Sequence, residues 1–148
     1  MTQEDKELLL VDLCARLPYG VVVELDEKFR FNKGTRVLVK ELLDLYCVEG
    51  MKPYLRPMSS MTEEEAKEIA TLHGLKNILS VKITDEYIDV IIDDGFSSTE
   101  KITLWYDEII SSIEIFDYLN AHHFDYRGLI PKGLALEAPK GMYKEEQQ

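Results

Sequence analysis

Cysteine is nearly missing from this sequence. Cys14 and Cys47 are the whole supply, too few and too widely separated for a zinc framework of the CxxC kind. Both stand among apolar neighbours and are expected to be inert core thiols. Positive charge is also scarce: 17 basic side chains face 28 acidic ones, for a net charge of −11. Nucleic-acid binding neutralises phosphates with Lys and Arg, and no basic run is present, so direct binding to DNA or RNA is not expected. Long apolar runs are missing as well. The opening MTQEDKELLL puts acids where a signal peptide needs a basic region, and Asp12 and Arg16 interrupt the apolar residues that follow. Nothing approaches a membrane span. These absences describe a cytoplasmic protein with reduced thiols and no membrane partner.

Motifs for several chemistries are absent too. There is no GxxxxGK[ST] or GxGxxG to cradle phosphate, no HExxH, and no GxSxG elbow. The DDG at 93–95 fails as a calcium loop, because Val90 and Ile92 occupy positions where oxygen ligands are required. Asp93 and Asp94 suit a turn after a strand instead. No cofactor is expected.

With 45% hydrophobic and 30% charged residues over 148 positions, the chain can bury one ordinary core. Thr2 is a plausible N-cap for a helix over about 4–16 that Pro18 would end. Tyr19, Val21, Val23 and Leu25 alternate as a strand, and a short strand through 36–40 follows the Asn32-Lys33-Gly34 turn. KELLDLYCV suits either a helical turn or a strand. Pro53 and Pro57 bias their predecessors toward extended geometry, so 49–60 is expected to cross irregularly. Thr62 and Glu65 then form a capping box, and Gly74 supplies a left-handed stop, enclosing a helix with Ala66, Ile69, Ala70 and His73 on one face. Residues 79–83 and 88–92 read as a hairpin, and 102–105 as the third strand of a meander. A period of three to four returns over 111–123. Without repeated strand–helix–strand crossovers, the pattern predicts a single α+β domain over 1–140, with a largely antiparallel sheet and about three helices. Residues 141–148 are expected to form a flexible tail.

YLNAHHFDYRG, at 118–128, concentrates chemistry-bearing side chains. His122 and His123 are about 100° apart on a helix, so they do not face one another as a metal pair. His123 continues the stripe of Phe116 and Leu119, and is expected to pack at the helix end, bonded to a carbonyl and favoured there when charged. Asp125 and Arg127 read as a pair that ties down the helix exit. A metal-dependent hydrolase built on His122, His123 and Asp125, with His73 as a further ligand, is the enzymatic alternative. Apolar and aromatic residues also crowd two irregular segments. From these, Tyr54, Arg56, Met58, Tyr126 and Arg127 are the candidate contacts for a protein partner.

The phrases KPYLRPMSSMTEEE (52–65) and FDYLNAHHFDYRGLIPKGLALEAP (116–139) resemble a group of small, acidic proteins from prophages and mobile elements of Bacteroides-type gut bacteria, over about a quarter of the chain. That group has no assigned activity. The resemblance therefore implies a phage-derived context and brings no catalytic residues. The leading expectation is a non-enzymatic accessory protein that binds a host or phage protein. Imitation of phosphate charge is a variant of this reading, and a virion structural component is a further alternative.

Overall fold

A computed structural model describes residues 1–45 and 48–143. Helix α1 (Gln3–Arg16) starts where Thr2 and Asp5 exchange hydrogen bonds as a capping box. It buries Leu9, Asp12, Leu13 and Arg16, a stripe stepping by three and four. Cys14 falls off that stripe and is exposed, so it is not the core thiol its neighbours suggested. Apolar neighbours in sequence lie on different faces of a helix. Cys47 lies outside the described residues.

Strands β1 (Val22–Leu25) and β2 (Gly34–Val37) pair antiparallel. Val21, Val23 and Leu25 point inward, as their alternation predicts. The opening of KELLDLYCV is helical, α2 (Lys40–Leu45). The segment expected to be irregular contains β3 (Met51–Leu55), which pairs with β1 antiparallel and with the two-residue β7 (Leu136–Glu137) in parallel. The sheet order is β2-β1-β3-β7. Pro53 is tolerated in this inner strand because β7 begins pairing only at Tyr54, so no ladder bond on that side depends on the missing N–H. The strand enters through Gly50, whose φ is +91°. A Cβ there would meet the Asp26 carboxylate at 2.5 Å, so the left-handed conformation and the close approach both require glycine.

The second half follows the predicted order closely. Helix α3 (Glu63–Leu72) has the Thr62/Glu65 capping box, and after Gly74 the Leu75 N–H returns to the Ala70 carbonyl at 3.1 Å, which closes the helix. Strands β4 (Ile78–Ile83), β5 (Tyr87–Asp93) and β6 (Thr99–Trp105) form a three-stranded antiparallel meander. Asp93 and Asp94 accept the N–H groups of Gly95 and Phe96 at 2.9 and 2.7 Å, the turn role read for them. Helix α4 (Ile113–Ala121) is capped by Ser112.

The protein is a single α+β domain with two apolar clusters. One packs α1 on the first sheet around Leu9, Leu13, Val23, Met51 and Leu55. The other packs α3 and α4 on the meander around Ile69, Ile88, Val90, Ile115, Leu119 and Phe124. Packing extends past residue 140: Tyr143 is buried, and its hydroxyl donates to the Tyr54 carbonyl at 2.6 Å while accepting the Val22 N–H at 3.0 Å. No helix among the described residues is long and apolar enough to cross a membrane.

Candidate functional site

The histidine-rich exit of α4 runs between the two clusters, held by two buried arginines. From α1, Arg16 donates Nε and Nη2 to Asp12 at 2.8 and 3.1 Å, and Nη2 also donates to the Phe124 carbonyl at 2.6 Å. From the end of β3, Arg56 makes a two-pronged pair with Glu65 at 2.7 and 2.8 Å and lies over the Phe124 ring at 4.2 Å. The Arg56 backbone donates to the His123 carbonyl and accepts from the Asp125 N–H, each at 2.8 Å. This parallel bridge joins the two distinctive phrases, 52–65 and 116–139. Buried charges tolerate such a setting only when paired and hydrogen-bonded. Burial opposes ionisation of Glu65, yet the Arg56 guanidinium, then the adjacent His122 ring and the Thr62 amide, hold its carboxyl far below the usual carboxylate range.

The three candidate metal ligands are engaged separately. His122 stacks on Tyr118 at 4.1 Å, with Nδ1 3.3 Å from Glu65. That distance is one of an ion pair, drawn when the ring is protonated. His123 has a φ of +64° and lies flat on the Tyr143 ring at 3.6 Å. It packs as expected, yet it is not a charged histidine at a helix terminus. Its Nδ1 has no hydrogen-bond partner, and burial, then Arg16, His122 and Arg56, push its pKa down to about 3. Asp125 accepts the N–H groups of Leu129 and Ile130 at 2.8 and 2.9 Å. Arg127 turns from Asp125 to Asp12, donating Nε at 3.1 Å. The expected Asp–Arg pair is thus replaced by two unrelated contacts. His73 donates Nε2 to the Ile109 carbonyl at 2.8 Å, beyond the helix it closes. No group of three or more His, Cys, Asp or Glu side chains converges to hold a metal among the described residues.

The exposed side of this seam is a cleft of about 420 Å³, lined by 57–59, Asp85, 106–107, 125–128 and 130–131. Met58, Tyr106, Tyr126, Ile130 and two prolines give it an apolar floor and walls. Its phenols stay protonated: burial raises Tyr126, and burial followed by the Asp85 charge raises Tyr106 to about 12. Arg127 in the wall is already paired with Asp12. Comparison with family models, curated proteins and solved structures gives no match.

Three of the five candidate contacts, Met58, Tyr126 and Arg127, line this cleft. Met58 is buried beneath it, and Tyr126 and Arg127 are half-buried. Arg56 is 3% exposed and occupied by Glu65, so it positions the seam and presents no contact surface. Tyr54 belongs to β3 of the first sheet, its hydroxyl donating to Glu24 on β1 at 2.9 Å. Sequence reasoning missed Asp85, Tyr106 and Asp107. The signal for Tyr106 and Asp107 was WYDE at 105–108, two adjacent aromatics at a strand end followed by acids, where one ring must face outward.

Proposed function

We propose that this protein is a non-enzymatic accessory protein of phage or mobile-element origin, acting in the cytoplasm by binding another protein through the cleft. The cleft itself carries the reading. It gathers residues from both distinctive phrases on a scaffold fixed by buried ion pairs, and rigid scaffolds presenting loop residues are typical recognition surfaces. Its volume is that of a pocket able to receive a few side chains of a partner. The acidic surplus of the chain supports a protein partner over a nucleic acid.

The test is affinity capture of tagged protein in its native host, read by mass spectrometry, beside a Ser59→Phe variant. Ser59 is exposed and lines the cleft, so the larger ring obstructs the site without entering the core. A partner captured by the wild type and lost from an equally stable variant is the expected result. Identical captures from both proteins would remove the cleft from the proposal.

A further inference from the structure

Taking the cleft as the binding surface, we infer that its occupant is a basic segment of the partner protein, with apolar side chains in the cleft and an arginine or lysine at Trp105 beside Asp85, Glu86 and Asp107. A second depression of about 390 Å³ adjoins the cleft, sharing Asp85, Tyr106 and Asp107 and adding Glu86 and Trp105. Trp105 is 46% exposed at the end of β6, and its ring leans on Tyr87 at 4.9 Å. An indole held by a neighbouring ring offers a fixed aromatic face, the best side-chain platform for a cation.

The charge balance selects the occupant. Asp85, Glu86 and Asp107 are exposed and have no basic partner among the described residues. Arg127 is committed to Asp12, and the Asp125 carboxylate to two backbone amides. The rim therefore presents uncompensated negative charge next to an aromatic face, and the adjoining cleft presents apolar surface. An acidic segment would meet repulsion here. A purely apolar one would leave three carboxylates facing it without a partner, and desolvation of unpaired charge is costly.

Trp105 is the single tryptophan of the chain, so its fluorescence reports directly on the rim. The probes are three pools of capped ten-residue peptides that share Leu, Phe or Pro at alternate positions. They carry arginine, its neutral isostere citrulline, or glutamate at the others. The arginine pool is expected to change Trp105 emission saturably and to bind more weakly as salt rises. The citrulline and glutamate pools are expected to leave it unchanged. An Asp85→Lys, Asp107→Lys double variant should weaken arginine-pool binding by about tenfold or more.

Citrulline binding within about twofold of arginine, or indifference to the charge reversal, would overturn the inference, because the cation would then not be what is read. A blank with all three pools would overturn it as well. If such a blank accompanies a captured partner that Ser59→Phe loses, only the basic character of the occupant falls. If capture is also unaffected by Ser59→Phe, the cleft reading falls with it.

Discussion

Replacing His123 with asparagine probes the charge balance of the buried seam. His123 is 2% exposed, stacked on Tyr143 and surrounded by the charges of Arg16, Arg56 and His122. Burial first, and then these charges, move its pKa from 6.5 down to about 3. The folded protein therefore refuses a proton that the unfolded chain accepts. The stabilisation is fully present above about pH 6.5 and is lost as the pH falls, until about pH 3 is reached. Each pH step of one below the unfolded pKa removes about 1.4 kcal/mol. Going from about pH 7.5 to about pH 5 should therefore remove ~2 kcal/mol, equivalent to roughly 4–8 °C in Tm for a domain of this size. Asparagine tolerates the left-handed backbone at this position, where φ is +64°, and it does not titrate. Urea denaturation of both proteins at the two pH values provides the comparison. Subtracting the variant cancels the other titrating groups and the general repulsion of an acidic chain. Wild type should lose ~2 kcal/mol more than His123→Asn across that interval. Parallel losses would show that His123 is not held neutral, and would refute this account of the seam.

Arg56→Met should cost about 3–5 kcal/mol, because Glu65 would be left buried without its cation. Adding Glu65→Met should recover at least about 1 kcal/mol relative to the sum of the single changes, which a double-mutant cycle by chemical denaturation measures. Gly50→Ala should destabilise by about 1–3 kcal/mol, from the positive φ and from displacement of Asp26, whose carboxylate accepts the Lys28 N–H at 2.9 Å. Thermal unfolding matching wild type would refute that account. Phe96→Ser should leave stability within about 0.5 kcal/mol, since the ring is 88% exposed. A larger loss would mean that the hairpin tip packs against something.

Much of the second half was legible because its signals are local. Thr62 and Glu65 are three residues apart, and the alternation of Val81 and Ile83 with Lys82 needs no knowledge of the rest of the chain. Strand β3 was obscured by Pro53, although Met51, Pro53 and Leu55 do alternate inward. Whether a proline breaks a strand depends on which ladder bonds the neighbouring strands require, and that is settled outside the segment. The site was less legible. Arg16 bonds to a carbonyl 108 residues away, and Arg127 to a carboxylate 115 residues away. No spacing within YLNAHHFDYRG announces either contact. Arg56 looked like a surface contact because its partner, Glu65, was already fully explained as a helix cap.

By itself the sequence determined the α+β class, the helix caps, the meander and the negative charge. Each follows from hydrogen bonding or periodicity within a few residues, or from composition. Tertiary structure decided that β3 is an inner strand, that His123 is a neutral packing residue, and that Met58, Tyr106 and Tyr126 share a cleft below Trp105 and its acids. Those outcomes depend on strand register and on how two apolar clusters meet across a buried polar seam, where a side chain's surroundings come from distant parts of the chain.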